Sequence, residues 1–272
     1  MSNLDAFCVR GRTALLTGAG GVLGAVFARA LAEAGARVWV TDLREEAARN
    51  VADRLRNEGL DAHARATDVL DREALEAALA ETGPVDILVN AAGGNLPGAT
   101  TSPEQPFFDI PLDAMQKVLA LNLFGGALLP TQVFGRAMVG KADGGVILNV
   151  SSMSAIRPLT RVAGYSVAKA AVSNFTQWLA VHMAQEYNPR VRVNAVAPGF
   201  FLTEQNRYLL TETEGGALTP RGKAVLDHTP MRRFGRPEDL AGVTLWLCSD
   251  ASAFVTGIVV PVDGGFSAFS GV

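Results

Sequence analysis

The chain has 272 residues, 49% apolar and 19% charged, which suits one globular α/β domain and leaves no low-complexity or linker-like stretch. A formal charge of −3 with no basic run argues against a nucleic-acid partner. Cys8 and Cys248 lie far apart without CxxC spacing, so neither a zinc site nor a disulfide framework is suggested.

Residues 1–18 show no cationic leader followed by an apolar stretch, so a soluble, cytoplasmic protein without a membrane partner is expected. "TALLTG" (13–18) reads as a strand closed by glycine, and 21–35 has helical apolar spacing ending at Gly35. A second β-branched run, 37–42, precedes a charged-face helix over 45–59. A weaker strand at 61–69, a helix over 71–82 and a clear strand at 85–93 continue the alternation. Residues 118–135 carry no charge, but Asn122, Gly125, Gly126, Pro130, Thr131 and Gln132 make a buried helix the better reading than a membrane span. Further strands are expected at 145–151, 191–196 and 258–262, each after a long helix. Strand–helix alternation at this spacing means βαβ units: a Rossmann-type doubly wound parallel sheet with helices on both faces, in a single domain spanning 1–272.

"TGAGGVLG" (17–24) falls between the first strand and helix, where a phosphate-binding turn belongs. Asp42 ends the second strand, 24 residues after Gly18, where a carboxylate would take the adenosine ribose hydroxyls. That carboxylate repels a 2′-phosphate and favours NAD over NADP, a preference that neighbouring Arg44 softens. The same Asp42 could instead cap the next helix. "YSVAK" (165–169) sets Tyr165 and Lys169 four apart, so in a helix both polar ends reach one point.

Together these pieces resemble the short-chain dehydrogenase/reductase family over essentially the whole chain. Thr17, Gly18 and Gly24 match its glycine motif; Val22 stands where a glycine is usual, with Gly20 and Gly21 just before it. "TDV" (67–69), "NAAG" (90–93, with Ala91 in place of asparagine), Asn122, "NVSS" (149–152), Tyr165, Lys169 and "PGFFLT" (198–203) follow in the family's order. The resemblance implies cofactor contacts at Thr17, Gly18, Gly20, Gly21, Val22, Leu23, Gly24, Asp42, Leu43, Asp68, Val69, Asn90, Ala91, Ala92, Gly93, Tyr165, Lys169, Pro198, Gly199 and Thr203. It implies a catalytic set of Asn122, Ser152, Tyr165 and Lys169. Ser151 is the alternative to Ser152, and the thirteen-position spacing to Tyr165 favours Ser152.

On this reading Tyr165 is the general acid/base, Lys169 its electrostatic partner and a ribose ligand, and Ser152 positions the substrate oxygen. Asn122 would hold a water that relays a proton to Lys169. A free phenol, with pKa near ~10, is a poor base at neutral pH, and Lys169 with an oxidised nicotinamide would favour phenolate. A fall of about three units amounts to roughly 4 kcal/mol.

Within the family the chain is most similar to the sugar-acid branch, whose members interconvert D-mannonate and D-fructuronate. The segments carrying this are "NAAGGNLPGATT", "SNFTQWLAVHMA", "APGFFLTEQNR" and "VDGGFSAFSGV". Asn95, Ser154, Gln205 and Asn206 are the candidate hydroxyl partners, and Arg157, Arg161 and Arg207 the candidate carboxylate ligands, with 203–227 as a substrate lid. Gluconate 5-dehydrogenases and other polyol dehydrogenases are the alternative, and a nucleotide-sensing protein without catalysis a distant one. His63, His182 and His228 lack ligand spacing, so no metal is expected. Residues 170–184, like 118–135, have no charged face toward solvent, which together with the resemblance points to a homotetramer, or failing that a dimer.

Overall fold

The computed structural model describes residues 4–203, 207, 209–212 and 216–271. Seven parallel strands lie in the order β3-β2-β1-β4-β5-β6-β7. They are β1 (Thr13–Thr17), β2 (Arg37–Asp42), β3 (Ala62–Ala66), β4 (Ile87–Asn90), β5 (Gly145–Val150), β6 (Val191–Pro198) and β7 (Val259–Val262). The winding reverses between β1 and β4, which puts a crevice at their C-terminal ends.

Alternate side chains build the two halves of the core. Ala14, Leu16, Ile87, Val89, Val146 and Leu148 join the layer under α1 (Val22–Glu33) and α2 (Glu45–Asn57). Leu15, Leu88 and Ile147 join the opposite layer with residues of α3 (Arg72–Thr82), α5 (Leu129–Val139) and α6 (Ala163–His182). Both faces are therefore dry, and β5 is buried at all six positions.

The uncharged stretch is one continuous helical run: α4 (Leu112–Leu119), a π-helical segment (Ala120–Leu128) and α5. The run is long and apolar enough to span a membrane by composition, but 56% of its most apolar window is buried inside the fold. After β6 the chain forms α7 (Pro220–His228) and α8 (Ala241–Cys248). Thr219 caps α7 by accepting a hydrogen bond from the Gly222 N–H at 3.0 Å.

Two expected strands end early. "TDV" leaves the sheet after Ala66, and the strand expected over 85–93 stops at Asn90. Gly93 takes φ +155°, and a Cβ there would sit 2.7 Å from the Asn122 side chain, so residues 91–94 turn against a helix instead of extending the ladder.

Candidate active site

The glycine turn is built by exclusion. Gly18 takes φ +60°, and a Cβ on it would lie 2.5 Å from Ala92 Cα. A Cβ on Gly24 would lie 2.5 Å from Ala19 Cα, and one on Gly20 would meet Asp42 Oδ2 at 2.9 Å. Gly21 is the N-cap of α1 and no side chain caps it, so the first-turn N–H groups of Val22, Leu23 and Gly24 have no intrahelical acceptor. Val22 is 41% exposed, pointing away from the crowded turn, so the missing glycine takes no room from it. A cradle of free amides that a Cβ would fill suits a pyrophosphate.

Asp42 accepts hydrogen bonds from Gly20 N–H at 3.2 Å and Arg44 N–H at 3.0 Å. The N-cap of α2 is Arg44, so the capping reading of Asp42 does not hold. The Arg44 guanidinium is 3.9 Å away on a largely exposed side chain, a contact too loose to neutralise Asp42. Leu43 is exposed beside it, and Asp68, also exposed, accepts from Leu70 N–H at 2.8 Å with one carboxylate oxygen.

Three expected cofactor contacts turn inward. Thr17 is fully buried, and its Oγ1 accepts from Ala92 N–H at 3.3 Å, bracing the turn against β4. Val69 packs where a Cβ on Gly125 would meet it at 2.8 Å. Asn90 Nδ2 donates to Asn149 Oδ1 at 2.9 Å and Thr131 Oγ1 at 3.2 Å, and Asn149 donates to Thr176 Oγ1 at 2.9 Å. The period-2 pattern of the sheet sends these side chains toward α5 and α6, so any nucleotide contact from Asn90 falls to its backbone. Pro198 ends β6, and Gly199 lies so close to Asp263 that a Cβ would approach its Cβ to 2.6 Å. The Thr203 carbonyl accepts from Arg207 N–H at 2.9 Å.

The reactive groups converge at the ends of β4 and β5. Ser152 hydrogen-bonds the Tyr165 phenol and accepts from Ser154 N–H at 3.1 Å. Ser151 donates to the Lys169 carbonyl at 3.1 Å and pairs with Ser173 at 2.7 Å, so of the two serines it is Ser152 that meets Tyr165. Lys169 Nζ donates to the Val150 carbonyl at 2.8 Å and lies 5.7 Å from the centre of the Tyr165 ring.

Electrostatics correct one expectation. Burial raises the phenol of Tyr165, with the Ser152 hydrogen bond the opposing effect, and burial lowers Lys169 to about 8. Proximity of the lysine does not by itself favour phenolate, because desolvation acts on both groups toward their neutral forms. Asn122 is fully buried. Its Nδ2 donates to Gly94 O at 2.7 Å and Val118 O at 2.8 Å, while Oδ1 accepts from Gly94 N–H at 3.0 Å. With the side chain holding the loop after β4, any water contact from Asn122 falls to its main chain. The π-helical segment around it is the kind of distortion found at functional sites.

The substrate candidates divide. Ser154 is 2% exposed and its hydroxyl has no partner. Asn95 is exposed and donates to Thr100 Oγ1 at 2.7 Å, and Arg157 Nε donates to the Ser267 carbonyl at 3.1 Å. Gln205 and Asn206 lie outside the described residues. Sequence reasoning missed the buried brace of Asn149, Thr131 and Thr176, whose only signal was polar residues inside otherwise apolar runs.

A family model described as "Enoyl-(Acyl carrier protein) reductase" matches residues 18–267. The chain is 48% identical over 275 residues to the uncharacterized oxidoreductase UxuB of Bacillus subtilis, covering 96% of this chain and 97% of that one. It is similar to the crystal structure, with bound NAD, of a candidate D-mannonate oxidoreductase from Haemophilus influenza: TM-score 0.91, 44% identity, 99% of this chain and 100% of that one. A gluconate 5-dehydrogenase from Burkholderia cenocepacia, in complex with NADP and tartrate, is similar at TM-score 0.83 and 33% identity, covering 98% of this chain and 99% of that one.

Proposed function

The chain belongs to the short-chain dehydrogenase/reductase family and is an oxidoreductase of CH–OH groups, and from that premise we propose that it interconverts a sugar acid and its keto form, D-mannonate and D-fructuronate, with NAD. The observation that carries the polyhydroxy reading is Ser154. A buried hydroxyl without a partner, adjoining the Ser152–Tyr165 pair, costs about 1–3 kcal/mol when left unpaired and is satisfied by a substrate hydroxyl. An apolar substrate would leave it orphaned. Likeness to the D-mannonate oxidoreductase candidate supports the sugar acid, and likeness to the gluconate 5-dehydrogenase keeps gluconate as the second reading.

The residues suit a dinucleotide: the free amides of residues 22–24 for the pyrophosphate, Asp42 for the adenosine ribose, Lys169 for the nicotinamide ribose. The bound cofactor supplies the hydride acceptor or donor. Ser152 holds the substrate oxygen beside the phenol. Tyr165 keeps its proton in the free chain, so it stands ready to donate to a carbonyl; in the oxidative direction it must give that proton up first. Lys169 lies beside the phenol, and its charge near neutral pH depends on how far burial holds it near 8.

One assay tests substrate and cofactor together: kcat/KM for D-mannonate, D-gluconate and neutral polyols with each dinucleotide. D-Mannonate with NAD is expected to lead. A tenfold preference for NADP, worth about 1.4 kcal/mol, would show that Arg44 overrides Asp42. Activity confined to neutral polyols would remove the sugar acid.

The reading extends to assembly as a homotetramer, with a dimer as the smallest form. Val167, Trp178 and Val181 on α6 are each more than half exposed, forming an apolar stripe that no loop of the chain covers among the described residues. Beside it a groove of about 620 Å³ runs between α5 and α6, lined by Gln132, Phe175, Trp178, His182 and Tyr187. A twofold copy of the same face would cover both. Ala171 lies on that stripe, so Ala171→Asp should lower the mass seen by light scattering at micromolar concentration. A wild-type mass of 28.6 kDa, or an unchanged oligomer in the variant, would refute this.

A further inference from the structure

The loop that follows β6 is held by a second segment of the chain. Gly235 N–H donates to the Phe200 carbonyl at 2.9 Å, and Leu202 N–H donates to the Gly235 carbonyl at 3.3 Å. The two bonds make an isolated parallel bridge between Phe201 and Gly235. The approach is close: a Cβ on Gly235 would lie 2.7 Å from Phe201 Cε1, 2.8 Å from Cδ1 and 2.9 Å from Cζ. Phe201 is buried in the same core layer as Phe27 and Leu31 of α1.

The segment 229–240, which brings Gly235 there, is fixed on both sides of it. Met231 N–H donates to the Gly264 carbonyl at 3.1 Å, just past β7. Arg232 then turns the chain with φ +52°, a costly conformation for a non-glycine residue. The Arg233 guanidinium pairs with both carboxylate oxygens of Asp239, which also accepts from Arg236 N–H at 2.8 Å. Leu240 closes the segment, fully buried in the α1 layer. A cavity of about 370 Å³ borders Phe200, Phe201, Met231 and Gly235. A side chain at position 235 would therefore shift the loop into open space and leave the core in place.

We propose that Gly235 is a positioning residue: by admitting the Phe201 ring against its backbone, it sets the loop 199–203 for the nicotinamide half of the dinucleotide. Two observations put that loop at the reactive end of the crevice. β6 pairs with β5 as far as Val150 and Val196, and Ser151 N–H donates to the Val196 carbonyl at 2.8 Å, so the loop leaves beside the strand that delivers Ser152. The free amides after β1 and Asp42 on β2 lie on the other side, toward the adenosine end. The inference deepens the dinucleotide reading of this cleft and rests on it.

Calorimetric titration of NADH, and separately of ADP-ribose, which lacks the nicotinamide, tests the proposal without any substrate. Gly235→Ala is expected to weaken NADH by about 10-fold, the scale for forcing one methyl into a packed contact, and to leave ADP-ribose within about twofold of wild type. A general loss of stability would not confine the effect to the ligand that carries the nicotinamide. If Gly235→Ala does not fold, Phe201→Leu, which drops the ring edge facing Gly235, carries the same split between ligands at a smaller size. Equal weakening of both ligands, or of neither, overturns the proposal. So does a wild-type chain that binds NADH no more tightly than ADP-ribose, in which case the pyrophosphate and adenosine contacts stand and the nicotinamide role of the loop falls. A wild-type chain that binds neither ligand removes the dinucleotide reading and this inference with it.

Discussion

Tyr165→Phe is expected to lower kcat by about 10²- to 10⁴-fold, the range for loss of a general acid/base, while cofactor affinity stays near the wild-type value. The substitution removes one oxygen and keeps the ring. That ring packs beside Ala99, Ala114 and Val118, so the loss should not disturb the fold. Ser152 loses its phenolic partner but keeps the Ser154 N–H, and its carbonyl accepts from Ala155 N–H at 3.0 Å. Because burial already favours the protonated phenol, the group behaves as an acid in the free chain. Rate loss in Tyr165→Phe should therefore be measured in both reaction directions. Turnover near the wild-type rate would show that another group moves the proton, and Tyr165 would be reduced to packing.

The parts of the site that were legible in the sequence are those whose chemistry depends on the backbone path. Glycines at 18, 20 and 24 could be read because close approach leaves no alternative, and each proves crowded to under 3 Å. Tyr165 and Lys169 could be read because a helix fixes which residues share a face. Side-chain direction at strand ends was not legible. Thr17 and Asn90 sit in the right segments but turn into the core, since a one-residue difference in strand phase selects the other face; Val69, beyond the end of β3, is turned inward by its loop. The side-chain bonds of Asn122 were half legible: Val118, four residues back, is in reach on any helix, whereas Gly94 is brought to it only by the fold.

Lys169→Met is expected to make the cofactor-free protein more stable than wild type near pH 7 and to lose that advantage by about pH 10, while abolishing most activity. In the folded chain Lys169 is 3% exposed and burial lowers it to about 8, against 10.5 for the free side chain. Below pH 8 both folded and unfolded chains hold the proton, and the folded state bears the full cost of a buried ammonium. Between 8 and 10.5 the unfolded chain keeps a proton that the folded chain releases, so stability rises with pH across that window. At about 1.4 kcal/mol per unit the rise is on the order of 3 kcal/mol. Methionine has the length of the stem without the titrating group, so the variant lacks this slope. It also leaves the Val150 carbonyl without its donor, a loss of about 1 kcal/mol that is present at every pH. The two effects have opposite sign, and so the stability curves of the two proteins should converge as pH rises from 7 to 10. Urea unfolding at pH 7 and pH 10 measures the difference directly, and groups common to both chains cancel from it. Parallel curves would mean that Lys169 stays protonated in the fold throughout this range. Its ammonium, and not the neutral amine, would then be what Tyr165 has beside it before any cofactor binds.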